Sequence, residues 1–469
     1  MSEKLLFLTG KLAEPSLHKV LQEMMPLPFD YRVHQLGLSV AALMTDKMIG
    51  RRLNKEIIAD SDQIIVPGRC RGDLEALSQQ FGVPIIRGPE EVKDLPIFFG
   101  RERKQPDLSR YDVNIFAEIV DAPDRDIDGI LERANYYRDS GANVIDIGCL
   151  PEEKFPHMEE AIAALHEAGF KVSVDSLEID DLRRAGKAGA DYVLSLTEKT
   201  YHLAEEMDAV PIIVPAERGS LESLERAMEL MDKINRPWIA DPIIEPIHFG
   251  FTDSIVRYHE LRRRYPDAPM MMGVGNLTEL TDADTSGVNA LLFGIISELQ
   301  ITNVLATEVS PHARRAIKEA DIARRMMFAA REDSSLPRDF TADLLATHER
   351  RPFPDTTQDI AELASNIKDP NYRIKVAEQG IYVFNRDGLM QDIDPFAFYP
   401  QLDLKDDTGH AFYLGAELAK AQIAWQLGKR YTQDEELTWG CATTKVEEDL
   451  TQQTAEGTTI TTGKKCGTA

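Results

Sequence analysis

Residues 141–148 read GANVIDIG, an apolar stretch interrupted by one acidic residue, Asp146. A short apolar run between glycines is typical of a parallel strand that is buried on both faces. Similar runs recur roughly every 25 to 30 residues through the middle of the chain, with amphipathic helical patterns between them. The predicted strands are 113–120, 144–147, 171–175, 192–196, 211–214, 238–241, 270–274 and 301–306.

Eight strands, each followed by a helix, predict a (β/α)₈ (TIM) barrel over residues 111–335. The alternative is an open, doubly wound sheet, but the count of eight and the even spacing favour the barrel. The predicted helices are 127–139, 158–168, 180–188, 221–234, 254–264 and 312–331.

The flanking segments predict two further domains. Before the barrel, strands at 4–9, 63–66 and 83–86 alternate with helices, as in a small Rossmann- or flavodoxin-like sheet. After it, a strand reaches a turn at 380–388 and a helix follows at 410–428. The predicted domains are an N-terminal α/β domain over 1–104, the barrel over 111–335, a C-terminal α+β domain over 355–440 and a disordered tail over 441–469.

The chain is acidic, with 53 basic and 79 acidic residues and a formal net charge of −26. This balance argues against a nucleic-acid partner and against binding to anionic membranes, because both need clustered lysine and arginine. The four cysteines are scattered, which fits a reducing compartment. With neither a signal-peptide pattern nor a long apolar run, the expected location is the cytoplasm.

In such a barrel the ligand site is built at the C-terminal ends of the strands. Three aspartates interrupt apolar strands there: Asp146, Asp175 in VSVDS and Asp241 in IADPII. Each could cap a helix or accept backbone N–H groups in its turn. Together they favour a ligand with adjacent N–H donors, such as the amidine-like edge of a 2-aminopterin, which a carboxylate grips with two hydrogen bonds.

These motifs resemble the pterin-binding superfamily of dihydropteroate synthases and pterin-dependent methyltransferases. The resemblance covers residues 141–148, 173–176 and 240–244, and it implies that Asp175 and Asp241 contact a reduced pterin. It also brings Asp146 and Ser195 to the pterin, since Ser195 stands where the family has an asparagine. The stretch 273–277, GVGNL, is similar to the GLSN motif of the methyltransferases and places Asn276 near the ring.

The chain departs from dihydropteroate synthases in the residues that serve the pyrophosphate. After the first strand it has AEIVDAP at 117–123, where Glu118 and Asp121 are candidate catalytic residues and candidate Mg²⁺ ligands. The basic residue expected after the eighth strand is absent, and Glu308 stands there. Ordinary dihydropteroate synthase activity is therefore in question.

The order of the three domains resembles the dihydropteroate synthase-related proteins of organisms that make tetrahydromethanopterin. That resemblance implies a role in the synthesis or use of this cofactor, other proteins of the pathway as possible partners, and a homodimer. Three functions stay open: an enzyme that joins or modifies a dihydropterin, a pterin-dependent C1 methyltransferase, and a non-catalytic pterin-binding scaffold subunit.

One further motif is PGRCRG at 67–72, which follows a strand and precedes a helix. With Arg69 and Arg71 it could hold an anion at the helix N-terminus. It could equally be an ordinary turn, since it matches no phosphate-binding motif.

Overall fold

The computed structural model describes residues 2–102, 106–149, 155–402, 404 and 407–444, so the predicted tail lies from residue 445 onward outside the described residues. The strands are β1 (Glu3–Thr9), β2 (Phe29–Gln35), β3 (Gln63–Val66), β4 (Ile85–Arg87), β5 (Asn114–Ile119), β6 (Val144–Gly148), β7 (Lys171–Asp175), β8 (Tyr192–Leu196), β9 (Val210–Ile213), β10 (Ile239–Ala240), β11 (Met271–Gly273), β12 (Asn303–Ala306), β13 (Arg373–Ala377), β14 (Gly380–Asn385) and β15 (Gly388–Asp392). The α-helices are α1 (Glu14–Glu23), α2 (Asp46–Arg52), α3 (Lys55–Ile58), α4 (Leu74–Phe81), α5 (Leu95–Phe98), α6 (Ile127–Asp139), α7 (Met158–Glu167), α8 (Ile179–Ala188), α9 (Leu221–Lys233), α10 (Phe251–Arg264), α11 (Gly275–Thr278), α12 (Thr285–Glu298), α13 (Ala316–Glu332), α14 (Thr357–Ser365), α15 (Pro395–Phe398) and α16 (Thr408–Leu427).

The first four strands form a parallel sheet in the order β2-β1-β3-β4. Side chains of β1 alternate between two cores. Leu5 and Phe7 pack with α1 and α5 on one face, whereas Leu6 and Leu8 pack with α2, α3 and α4 on the other. Helices on both faces make this a small doubly wound sheet, which agrees with the predicted α/β class.

Strand β2 is missing from the sequence prediction. Its sequence is FDYRVHQ, and only Phe29 is fully buried. The strand lies at the edge of the sheet and pairs with β1 alone, so it does not need an apolar run. The apolar-run rule therefore misses β2, whereas it finds β4 at the opposite edge, where the run VPII at 83–86 is apolar.

The predicted barrel is confirmed. Strands β5 to β12 are parallel and lie in the order β10-β9-β8-β7-β6-β5-β12-β11. A parallel bridge between Ala240 and Met270 joins the two ends of that order, and the Ala240 amide donates to the Pro269 carbonyl at 2.9 Å. The sheet therefore closes, and the carboxyl ends of all eight strands face one mouth.

The connections in the barrel are less regular than predicted. A short 3₁₀ helix, Tyr201–Glu206, follows β8 in place of an α-helix. Helix α12 is absent from the prediction because its sequence is apolar on most sides and shows little amphipathic pattern. Capping side chains fix the starts of other helices. Asp126 accepts a hydrogen bond from the Gly129 amide at 2.8 Å at the start of α6, and Ser220 accepts one from the Ser223 amide at 3.1 Å at the start of α9.

After the barrel, β13, β14 and β15 form an antiparallel sheet. Its apolar face packs on α16 through a core that includes Ile381, Val383 and Leu418. The strand and turn predicted at 380–388 are present. Glu417 is buried in α16 and accepts the Tyr431 hydroxyl at 2.7 Å and the Lys420 ammonium at 3.1 Å, so it is bonded within this segment.

The described chain divides into two compact units. One contains the residues up to Asp112 together with Arg324–Phe340, and the other contains Val113–Ala323 with the residues from Thr341 onward. The finer division into three domains stays a prediction. Among the described helices, none is both long enough and apolar enough to cross a bilayer.

Candidate ligand site at the mouth of the barrel

Three carboxylates meet at the C-terminal ends of neighbouring strands. Glu118 lies on β5, Asp146 on β6 and Asp175 at the end of β7, and one oxygen of each lies within 4.8 Å of the others. The strand register brings them together, because Glu118 is opposite Asp146 and Asp175 is opposite Gly148. We call these three side chains the carboxylate cluster.

Gly148 makes room for the cluster. It lies two residues after Asp146 on β6 and so faces the same side of the sheet. A Cβ atom at this position would lie 2.7 Å from Oε1 of Glu118. Any larger residue would therefore displace the Glu118 carboxylate.

Asp146 is the buried member of the cluster. It is 0% exposed, and neither carboxylate oxygen has a hydrogen-bond partner among the described residues. Ser173, opposite Asp146 on β7, is also 0% exposed, and its hydroxyl lies close enough to lower the pKa of Asp146 without forming a hydrogen bond of ordinary geometry in the described chain. Buried polar groups are nearly always paired, and leaving one unpaired costs several kcal/mol. The missing partners point to a bound species.

The charge around the cluster is of one sign. Burial raises the pKa of Glu118 to about 7, and the negative charges of Asp175 and Glu279 add to the rise. Burial and the charge of Asp241 raise the pKa of Asp175 to about 6. The pKa of Asp146 rises well above its usual range through burial and its two neighbours. Among the described residues no lysine or arginine offsets these effects, so the cluster suits protons, N–H donors or a cation.

Asp241 follows β10 and is held in a fixed orientation. Its Oδ1 accepts the Ile243 amide at 2.7 Å and the Tyr258 hydroxyl at 2.6 Å. Ile243 has a positive φ of 65°, which turns its N–H back towards the carboxylate. Burial raises the pKa of Asp241 to about 6. The Oδ2 atom has no donor in the described chain and is the oxygen left for a ligand.

The other two predicted pterin contacts lie on the same edge of the barrel. The Asn276 amide nitrogen donates to the Ile244 carbonyl at 2.7 Å, which ties the loop after β11 to the loop after β10. Its Oδ1 remains available. Ser195 is half-buried in β8, at an irregularity in the pairing with β9. Both roles stay predictions.

Asp121, predicted beside Glu118 as a catalytic and metal residue, is placed differently. Its side chain is exposed and forms two 2.8 Å hydrogen bonds with Arg125. The guanidinium group lowers the pKa of Asp121. The structure joins Glu118 to Asp146 and Asp175 and does not bring Asp121 into that group.

Several residues near the site carry no motif. Tyr258, on α10, bonds to Asp241, and Glu279 adds negative charge near Glu118. Neither follows a strand directly, so a search of strand ends misses them.

After β12, a cavity of 640 Å³ is lined by Glu308 together with Arg133, Arg314 and Arg315. The arginines come from α6 and from the segment before α13, and only the fold brings them beside Glu308.

The cluster fits a hard divalent cation in its chemistry. Carboxylate oxygens are the ligands that Mg²⁺ prefers, and the cluster supplies three without competing donors. Asp121 does not fit this role, because its oxygens are already bonded to Arg125. A cation here would be held by Glu118, Asp146 and Asp175.

Comparison with known proteins gives two sequence matches. A model of a family of unknown function, DUF6513, matches residues 3–90, which lie in the N-terminal sheet. The uncharacterized protein MJ0107 of Methanocaldococcus jannaschii is 28% identical over 92% of this chain and 99% of its own length.

Solved structures align with about half of the chain. A dihydropteroate synthase of Vibrio fischeri covers 48% of this chain and 94% of its own, at 16% identity and a TM-score of 0.37. The dihydropteroate synthase of Thermus thermophilus covers 46% of this chain and 93% of its own, at 21% identity and a TM-score of 0.33. A truncated 3-deoxy-D-arabino-heptulosonate 7-phosphate synthase of Thermotoga maritima covers 48% of this chain and 88% of its own, at 14% identity and a TM-score of 0.36. Because different enzymes align equally well, this likeness does not identify a substrate.

Proposed function

We propose that the barrel binds a reduced pterin at its mouth and acts on it as an enzyme. One observation carries the proposal: Glu118, Asp146, Asp175 and Asp241 gather at the C-terminal strand ends without a cationic neighbour at the cluster and with oxygens that the described protein leaves unbonded. A reduced pterin is flat and rich in N–H groups. It would supply the donors that these oxygens lack.

The fixed geometry of Asp241 supports its role as the anchor. Two protein donors orient its carboxylate, so little side-chain freedom is lost when a ligand binds. The amidine-like edge of the pterin would bond to this carboxylate, and Asp175 would accept a further ring N–H. The Asn276 amide, held by Ile244, would support the ring from the neighbouring loop.

For the reaction, the leading candidate joins or modifies a dihydropterin on the route to tetrahydromethanopterin. In its synthase form an arylamine nitrogen attacks the exocyclic methylene of the pterin and the diphosphate leaves. The enzyme would contribute mainly by positioning the two reactants. Mg²⁺ held by the cluster would neutralise charge on the diphosphate. Guanidinium groups bind phosphate oxygens, and the cavity after β12 carries three arginines. This form of the reaction therefore requires the diphosphate to extend from the cluster to that cavity.

The second candidate is transfer of a C1 group from a methylated pterin. The absence of lysine and arginine at the cluster, among the described residues, favours it, because a methylated pterin has no diphosphate to balance. The acceptor would be a separate molecule or protein. A scaffold subunit that binds a pterin without turnover is the remaining alternative.

Titration calorimetry on the full chain tests the proposal. The ligands are 6-hydroxymethyl-7,8-dihydropterin, its diphosphate with and without Mg²⁺, and methyl-tetrahydromethanopterin. Asp241→Asn removes the anchoring charge and is expected to weaken pterin binding about 100-fold, since it loses a charge-assisted pair of hydrogen bonds. The control is Asp139→Asn, an exposed aspartate at the end of α6.

The ligand preference then decides between the reactions. Tight, Mg²⁺-dependent binding of the diphosphate supports the synthase, and preference for the methylated pterin supports methyl transfer. Binding without turnover with an arylamine or a C1 acceptor supports the scaffold subunit. If none of the pterins binds, or if Asp241→Asn binds them as the control does, the proposal is wrong.

A further inference from the structure

A second cavity lies in the N-terminal unit, far in sequence from the barrel motifs. It has a volume of 540 Å³ and is lined at its base by Phe7 and Thr9 of β1 and by Val66 at the end of β3. In the parallel order β2-β1-β3-β4, β2 is added on one side of β1 and β3 on the other. The loop after β1 therefore leads to α1 on one face of the sheet, and the loop after β3 leads to α4 on the opposite face. Ligands of open parallel sheets bind in the crevice that this separation opens.

The loops around the cavity depend on two glycines. A Cβ atom on Gly10, just after β1, would lie 2.7 Å from the Ala41 amide nitrogen. A Cβ atom on Gly68, just after β3, would lie 2.5 Å from the Pro89 carbonyl carbon. The two glycines therefore allow the loop after β1 to approach the loop after β2, and the loop after β3 to approach the loop after β4. All four loops contribute walls to the cavity.

The walls are mostly apolar, and the apolar surface continues out to the mouth. Leu12, Val40 and Leu336 line the cavity, and these side chains are 69%, 43% and 77% exposed. Exposed apolar side chains around a cavity lose hydration when a ligand covers them. The volume falls within the range of small-molecule sites.

Three basic side chains stand on the rim, and each contacts an acidic one. The pairs are Arg69 with Glu90 at 3.2 Å, Lys93 with Asp339 at 3.0 Å and Arg338 with Glu91 at 2.9 Å. Arg69 contacts Glu90 at 3.2 Å through one nitrogen and keeps other N–H groups free of bonds in the described chain.

The guanidinium of Arg69, and not the adjacent helix end, is the group suited to an anion. The N-terminus of α4 is capped by Asp73, which accepts the amides of Glu75 and Ala76 at 3.0 Å. That carboxylate occupies the position an anion would take. Of the two arginines in the PGRCRG loop, only Arg69 lines the cavity.

We propose that this cavity binds a small molecule with an apolar body and one anionic group, the body lying on β1 and β3 and the anion meeting Arg69 at the rim. The site is separate from the pterin site of the barrel. It assigns a ligand-binding role to the segment that the DUF6513 model matches.

Fluorescence titration with 1-anilinonaphthalene-8-sulfonate tests the proposal on the full chain, because this probe combines an apolar ring system with one sulfonate. Its neutral counterpart, N-phenyl-1-naphthylamine, has the same rings without the anion. The sulfonate probe is expected to bind saturably with a stoichiometry of one, and about 10-fold more tightly than the neutral probe.

Two variants locate the binding. Arg69→Gln is expected to weaken the sulfonate probe about 10-fold and to leave the neutral probe unchanged. Val40→Trp fills the mouth and is expected to weaken both probes. The matched controls are Arg51→Gln, on the exposed side of α2, and Leu43→Trp, which is exposed but does not line the cavity.

The outcomes separate clearly. Equal affinity for the two probes would show that the ligand needs no anionic group. Probe binding that Val40→Trp leaves unchanged would show that the cavity is not the binding site. Absence of saturable binding would overturn both. Asp241→Asn in the barrel is expected to leave probe binding unchanged, so this proposal and the pterin proposal can fail independently.

Discussion

The two parallel sheets of this chain both open at the carboxyl ends of their strands, yet they gather opposite chemistry there. The barrel collects Glu118, Asp146, Asp175 and Asp241 with oxygens left unbonded in the described chain. The N-terminal sheet forms an apolar cavity whose rim charges are largely paired. The comparison shows that the carboxyl ends of parallel strands determine where a cavity forms. The unpaired polar groups there indicate which hydrogen-bond donors or charges a ligand would have to supply.

The largest effect is expected from Gly68→Ala, which disrupts the close approach of two loops at the carboxyl ends of the N-terminal sheet. The new Cβ atom would meet the backbone of Pro89, and the loops must separate, at a cost of about 3 kcal/mol. All three tryptophans, at 238, 425 and 439, lie outside this segment. Urea unfolding should therefore show an early transition by far-UV circular dichroism that tryptophan fluorescence does not report.

Gly287→Ala in α12 is the matched control for this change. A Cβ atom there meets no atom within 4 Å, and alanine is the better helix former, so stability should stay equal or rise by about 1 kcal/mol. If Gly68→Ala behaved like this control, the close approach of the loops would not exist in solution.

A gain in stability is expected from Asp146→Asn at the barrel edge. The change removes a buried carboxyl group that lies between two others, and it adds an N–H donor for their oxygens. We expect the ligand-free protein to gain about 2 kcal/mol in its free energy of unfolding, measured by urea titration against Asp139→Asn. A loss of stability would mean that Asp146 is already well bonded in the free protein.

Glu308→Gln should change the pH dependence of stability. Burial raises the pKa of Glu308 in the folded protein to about 7, from an ordinary value of 4.5. The folded state therefore holds the proton more tightly, and its contribution to stability is present below pH 4.5 and is lost as the pH rises to 7.

Between these pH values wild-type stability should fall by about 2 kcal/mol relative to Glu308→Gln, as followed by urea midpoints at half-unit pH steps. Parallel profiles for the two proteins would show that the side chain is hydrated in solution or balanced by Arg133.

The smallest effect is expected from Tyr258→Phe. The change removes the hydroxyl that donates to Asp241 at 2.6 Å, and it should cost about 1 kcal/mol of stability and weaken pterin binding roughly 5-fold. The control is Tyr201→Phe, whose hydroxyl has no hydrogen bond in the described chain. Unchanged pterin affinity in Tyr258→Phe would show that Asp241 needs no second donor.

Much of the fold could be predicted from sequence. The strands at 171–175 and 192–196 agree residue for residue with β7 and β8, because each places mainly apolar residues at its buried positions between two turns. The pattern failed for β2, which is an edge strand, and for α12, which is apolar on most sides. In both cases the surroundings of the element, and not its own periodicity, decide its sequence.

The site could be predicted only in part. The aspartates at 146, 175 and 241 interrupt apolar strands, and this exception to the apolar pattern can be recognised in the sequence. The pairing of Asp121 with Arg125 depends on the local turn. The contributions of Tyr258 and of Arg133 depend on helices that approach the strand ends from elsewhere in the chain.

The sequence by itself determined the barrel and the presence of acidic residues at its mouth, because burial imposes periodic apolar runs and makes each exception conspicuous. The tertiary structure alone decided which carboxylates share one cluster, which are held by arginine or tyrosine, and that the N-terminal loops enclose a cavity. The reason is physical: apolar periodicity is a local property, whereas strand register, charge neighbours and cavity walls join residues far apart in the chain.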